Sequence, residues 1–203
     1  MTTFLLIRHA MCDHVGHVIA GRSPDVHLNA AGLAQAARIS ELLDSVPLDA
    51  IASSPLPRAL ETAAPLARRR NLPPQVLESL AEIDYGYWTG RSIESLEPER
   101  GWGRFNSLRS VARVPGGELM LEVQARAVTA LELLRERYPT GHCGVVSHGD
   151  VIRSLVAHYA GIPLDLFQRL EIAPASVSVV VVDEGWIGVR CVNVPVDLWS
   201  ALA

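Results

Sequence analysis

The chain has no lysine: all eighteen of its basic residues are arginine. That excludes mechanisms built on a lysine amine, among them a Walker-A phosphate loop, a Schiff base and the strand lysine of kinases. Cysteine is scarce as well. Cys12, Cys143 and Cys191 are odd in number and widely spaced, so they make neither a disulfide framework nor a CxxC pair. Basic charge is not in excess, and a net charge of −4 argues against a general nucleic-acid binder. Long apolar runs are missing too: the longest candidate, Val177 to Val182, has the length of a strand and not of a membrane span. The opening Met1-Thr2-Thr3-Phe4 lacks the basic start of a secretory signal. The expectation is a cytoplasmic protein with neither nucleic acid nor membrane among its partners.

What is present has the makings of a substantial core. At 203 residues, 49% hydrophobic and 20% charged, the chain is expected to form one domain over 1–203. Phe4-Leu5-Leu6-Ile7 runs straight into Arg8-His9 and stops. A short unbroken apolar run of this kind reads as a strand buried on both faces, although periodicity alone does not separate it from a helix segment. A loop rich in His, Gly and Asp follows from Ala10 to His27, and Asn29 is placed to cap a helix from about Ala30 to Asp44. Ala50 to Ser53 reads as a second strand, with Ser54-Pro55 as cap and first residue of a helix ending near Arg69. Gln75 to Leu80 is a weaker strand, and about 81–117 is irregular enough to be a small insertion or lid of short helices. Glu118 to Arg137 carries an apolar stripe at helical spacing. Cys143 to Ser147 is a fourth strand, followed by a helix from Asp150 to Tyr159 that stops at Gly161. Val177–Val182 and Ile187–Val192 flank Asp183-Glu184-Gly185 as a hairpin. Alternating strands and helices imply an α/β fold of three layers: a mainly parallel central sheet, helices on both faces and an antiparallel edge.

Three strand ends carry polar residues of one kind. The first bears Arg8 and His9, the second leads through Ser53-Ser54-Pro55-Leu56-Pro57 to Arg58, and the fourth bears Ser147-His148-Gly149-Asp150. Open parallel sheets bind ligands beyond the carboxyl ends of their strands. If these strands are neighbours, two histidines and two arginines meet there, with helix N-termini behind them adding N–H donors and positive field. Such a site suits an anion, and its natural ligand is a phosphate.

These residues resemble the histidine phosphatase superfamily, the group that contains the cofactor-dependent phosphoglycerate mutases. Arg8-His9-Ala10 is similar to its RHG signature, and Ser53 to Ala63 to the block carrying the second arginine. Leu80-Ala81-Glu82-Ile83-Asp84-Tyr85-Gly86-Tyr87-Trp88-Thr89-Gly90 resembles the block with the proton donor, and Ser147-His148-Gly149 the block with the second histidine. The resemblance implies a phosphoglycerate mutase-like fold and a catalytic set of His9, Glu82, Arg8, Arg58 and His148. His9 would be the nucleophile that forms a phosphohistidine. Arg8 and Arg58 would neutralise the phosphate through their planar forks, and His148 would donate to the phosphoryl oxygens during transfer. Glu82 would protonate the leaving alcohol and later deprotonate the attacking water, its pKa raised for the first step. Arg8, Arg22, Arg58, His148 and Gly149 are the expected substrate contacts. No cofactor and no metal is implied, because arginine and histidine do the charge work that magnesium does elsewhere. The implied partner is a small-molecule phosphate ester, with a homodimer as an open option.

The chain departs from the family pattern at Ala10, where the signature has glycine, and at Met11-Cys12, where a hydroxyl residue is usual. Gly21-Arg22 lies where members often place a substrate-contacting residue. A rival metal site from His9, Cys12, His14 and His17 has the wrong spacing for a zinc ribbon or finger, and Arg8 would repel a cation. Cys12 lacks the arginine six positions on that a cysteine phosphatase needs, and no G-x-S-x-G surrounds Ser147. Asp13, Asp84 and Asp150 read as ordinary acidic residues. The third block is closer to phosphatase members, which favours a phosphomonoester hydrolase over a phosphoglycerate mutase. A non-catalytic phospholigand-binding module would be expected to have lost His9 or Glu82. The 81–117 segment, with Trp88, Trp102 and Phe105, is expected to shape the pocket.

Overall fold

Alternate residues of the first strand face opposite sides, and both sides are covered. In the computed structural model, which describes residues 1–195, β1 (Thr2–Arg8) turns Phe4 and Leu6 to one hydrophobic cluster and Leu5 and Ile7 to another. A strand buried on both faces belongs at the centre of a sheet. Accordingly β1 lies between β4 (His142–Ser147) and β5 (Val177–Val182), and the six described strands run in the order β3–β2–β4–β1–β5–β6. β2 (Ala50–Ser53) and β3 (Gln75–Val76) continue the parallel part, while β5 and β6 (Ile187–Val194) form the antiparallel edge. Helices α1 (Ala30–Leu42) and α2 (Pro57–Arg70) pack on the face of Leu5 and Ile7. The 81–117 segment holds two short helices, α3 (Ile93–Leu96) and α4 (Arg100–Ser107). The opposite face is covered by α5 (Met120–Arg137) and α6 (Gly149–Ala160). The three-layer α/β architecture therefore follows the alternation of strand and helix in the chain. No helix among the described residues is long and apolar enough to cross a membrane.

Several boundaries move, each for a local reason. Asn29 caps α1 as its residue type suggests, accepting the Gly32 N–H at 2.9 Å. Ser54-Pro55 does not start α2, which begins at Pro57 after Leu56. Ser54 Oγ is engaged instead with His148 Nε2 at 2.7 Å and with the Leu56 N–H. The third strand stops at Val76, and Glu78–Leu80 closes into a 3₁₀ turn. Glu118 stays outside α5 because its carboxylate is taken by Arg22, Arg126 and the Asp84 N–H.

The irregular segment is a packed structure. Trp88 stands edge-on to Trp102 and Phe105, with ring centroids 5.3 and 5.4 Å apart. Trp88 and Phe105 are buried in the cluster beneath α5 and α6, and Trp102 packs against it. These rings do not line the cavity at the sheet edge, contrary to the expectation from sequence. Large apolar rings gain more by leaving water for the core than by facing a polar anion site. From 81–117, only Glu82, Tyr85 and Ile93 reach the cavity wall.

Candidate active site

Strand register brings the polar strand ends together. Arg8 is paired with Ser147 across β1 and β4, and Ser53 with Val146 across β2 and β4. The ladder continues one step past the strands: the His9 N–H donates to Ser147 O, and the Ser54 N–H to Val146 O, both at 2.9 Å. His9, Ser54 and His148 thus leave the same sheet edge, and the two imidazole rings stand 5.2 Å apart. Arg58 enters from the first turn of α2 with 1% of its surface exposed. A cavity of about 360 Å³ opens here, lined by Arg8, His9, Arg58, Glu82, Gly149 and Asp150 among others.

The histidines are held neutral in defined orientations. His9 Nδ1 lies 2.8 Å from Ala10 O, which can only accept, so the ring carries its proton on Nδ1 and leaves the Nε2 lone pair free. Burial first, then the charges of Arg58 and Arg8, push its pKa down to about 3. His148 is likewise driven well below the usual imidazole value by burial, with Arg58, His9 and Arg8 adding to it. Ser54 Oγ accepts the Leu56 N–H and lies in hydrogen-bond contact with His148 Nε2 at 2.7 Å. His148 Nδ1 is buried and has no hydrogen-bond partner among the described residues.

The arginines are anchored by one nitrogen each. Arg8 Nη1 donates to Ile172 O at 2.6 Å, and Arg58 Nη2 to Gly21 O at 2.7 Å. Arg8 Nε and Arg58 Nε and Nη1 are buried without partners among the described residues. Buried donors are normally satisfied, and leaving one unpaired costs about 1–3 kcal/mol. A concentration of such donors beside two neutral histidines is chemically fitted to an oxyanion. Gly149 allows this packing, since a Cβ there would meet the Arg8 guanidinium at 3.3 Å.

Glu82 supplies the acidic group of the cavity. Burial, reinforced by the negative charge of Asp150, raises its carboxyl to about pKa 7 against the opposing pull of Arg58 and Arg8. Its backbone is clamped: Glu82 O accepts from Arg22 Nε at 2.9 Å and Arg126 Nη2 at 3.2 Å. Both arginines also bind Glu118 Oε2, which in turn accepts the Asp84 N–H.

Of the residues singled out in the sequence, Arg8, His9, Arg58, Glu82 and Gly149 share the cavity wall, and the His148 ring lies beside that of His9, tilted by 59°. Arg22 is not among the lining residues; its side chain is committed to Glu82 O and Glu118. Gly21 turns the chain with φ +50°, which lets consecutive residues serve Arg58 and Glu82. Cys12 and His14 lie on the wall. Among the described residues no group of three or more His, Cys, Asp and Glu side chains is arranged to hold a metal. Sequence reasoning missed Ser54, Glu118, Arg126 and Asp150. Ser54 stood in a matching block but reads as a helix cap, Asp150 stood beside His148-Gly149 but reads as an ordinary acidic residue, and Glu118 and Arg126 carried no local signal.

The chain matches the family described as histidine phosphatase superfamily (branch 1) over residues 4–195. It is 30% identical over 188 residues to phosphoserine phosphatase 1 of Hydrogenobacter thermophilus, covering 91% of this chain and 88% of that protein. It is 33% identical over 182 residues to a Salmonella choleraesuis protein named "Probable phosphoglycerate mutase GpmB", covering 88% and 84%. The solved structure of Bacillus stearothermophilus YhfR superposes with a TM-score of 0.89 at 28% identity, over 96% of this chain and 98% of that one.

Proposed function

The chain belongs to the histidine phosphatase superfamily, and from that premise we propose that this phosphatase hydrolyses phosphomonoesters without a metal, through a phosphohistidine on His9. One observation carries the reading: unpartnered nitrogens of Arg8, Arg58 and His148 surround a neutral His9 whose Nε2 lone pair is free. Nε2 attacks phosphorus, the P–N bond forms, and the ester P–O bond breaks. Glu82, protonated with a pKa of about 7, gives its proton to the leaving alkoxide. The resulting carboxylate then takes a proton from water, which attacks the phosphohistidine and releases phosphate and His9. Arg8 and Arg58 hold the non-bridging oxygens, and His148 donates from Nδ1 as charge shifts onto them.

Phosphate release from a panel of small monoesters in EDTA tests this, with His9→Ala alongside. The wild-type protein is expected to release phosphate undiminished by EDTA, and the variant to lose at least about 10⁴-fold. Loss of wild-type activity in EDTA would sink the metal-free mechanism. A mutase uses the same residues but returns the phosphoryl group to substrate, and the similarity to the Salmonella protein keeps that reading in play. Conversion of 3-phosphoglycerate to its 2-isomer, stimulated by bisphosphoglycerate, would favour it over hydrolysis.

A further inference from the structure

Asp150 opens α6 immediately after the second histidine and is only 7% exposed. A carboxylate so deep is costly unless it is paired. Here it has three partners from two parts of the chain. Tyr85 donates its hydroxyl to Oδ2 at 2.8 Å, Arg109 Nη1 donates to the same oxygen at 2.8 Å, and Arg153 Nη1 donates to Oδ1 at 2.9 Å. Arg109 is itself 3% exposed, lies 3.9 Å over the Phe105 ring and donates to Asn106 Oδ1. The 85–109 stretch is therefore bolted to the first turn of α6 through one side chain. Asp150 and Glu82 line the same cavity, and Tyr85 lies three residues after Glu82.

We propose that Asp150 is a positioning residue of this site: it locks the 85–109 segment against α6 and, through its charge, governs the proton on Glu82. This rests on Glu82 as the acid of the proposed reaction. Several charged groups face Glu82. Arg8 from β1 and Arg58 from α2 favour its ionised form, and Asp150 from α6 opposes it. Its own segment contributes Tyr85, whose hydroxyl is kept protonated by burial and by Asp150. Arg22 and Arg126 meet its carbonyl, Arg153 lines the wall beyond, and His9 and His148 are neutral. Asp150 is thus the negative charge that offsets the two phosphate-binding arginines at Glu82. Burial works against its own ionisation, but Arg109 and Arg153 hold its carboxyl down at about 2, so Asp150 is charged where Glu82 titrates.

The test is a ¹³C-carboxyl NMR titration of Glu82, assigned with Glu82→Gln, beside the pH profile of kcat/KM. In D150N both the titration midpoint and the alkaline limb are expected to move acidward by about one pH unit. Tyr85→Phe, which keeps every charge, should leave both in place. Should D150N alone fail to fold, the D150N/R109M double variant, compared with R109M, isolates the same charge without leaving a buried arginine unpaired. Folding is checked by circular dichroism and a cooperative melt. A folded variant lacking the Asp150 charge whose Glu82 midpoint does not move acidward overturns the proposal. The NMR titration needs no turnover, so an inactive wild-type protein would count against the function reading alone.

Discussion

Two halves of the cavity are built by different means. The cradle of Arg8, His9 and His148 is made by register: once β1 pairs with β4, backbone hydrogen bonds carry both histidines to one edge. The wall bearing Glu82 has no ladder beneath it. Glu82 follows a 3₁₀ turn and is placed by Arg22, Arg126 and Glu118, side chains from the first loop and from around the start of α5. Backbone pairing makes the nucleophile's position insensitive to most side-chain changes, whereas the acid depends on a few ion pairs. The comparison teaches that one site can join a rigid anion cradle to an acid held by contacts that separate mutations can loosen.

The largest effect that would sharpen this contrast is at the arginine that α2 adds to the cradle. Arg58→Met removes a buried guanidinium with two unpartnered donors and is expected to lower kcat/KM by about 10³-fold, read from steady-state hydrolysis of the best ester. A loss of only a few fold would mean that Arg58 does not touch the phosphoryl group. Next comes the acid. Glu82→Gln should lower kcat by about 10²–10³-fold and abolish the alkaline limb of the pH profile. The sign follows from its role: the carboxyl must be protonated to act, so wild-type kcat/KM should fall about tenfold per unit above roughly pH 7. His9, with its pKa near 3, stays neutral from about pH 4 upward and adds no limb there. An alkaline limb that persists in Glu82→Gln would assign it to another group. The smallest effect tests the clamp. Glu118→Gln keeps the shape but weakens the hold on Arg22 and Arg126, and should cost about tenfold in kcat with KM little changed. A KM effect alone would place Glu118 with substrate binding and break the division between the two halves.

Much of the cradle was legible because it lies in short continuous stretches. Phe4 to His9 and Val145 to Gly149 announce strand, turn and chemistry within a few residues, and the family blocks place Arg58 and Glu82 beside them. Ser54 was visible but misassigned, since a Ser-Pro pair signals a helix start whether or not the hydroxyl is needed elsewhere. Arg22 was expected at the substrate, and its side chain holds the acid's backbone. The 81–117 segment with Trp88, Trp102 and Phe105 was expected to shape the pocket, but Trp88 and Phe105 lie in the core and Trp102 packs against it.

By itself the sequence determined the alternation of strands and helices, the family, and the identity of the groups that carry the chemistry, because periodicity and motif are local properties of the chain. Only the tertiary structure decided which nitrogen of each histidine is free, which donors lack partners, and that Asp150 joins Tyr85, Arg109 and Arg153. The Asp150 junction depends on contacts 41 and 65 positions apart in the chain, those of Arg109 and Tyr85. Spacing along a sequence does not encode contacts at that range, and the packing of α6 against the 85–109 segment does.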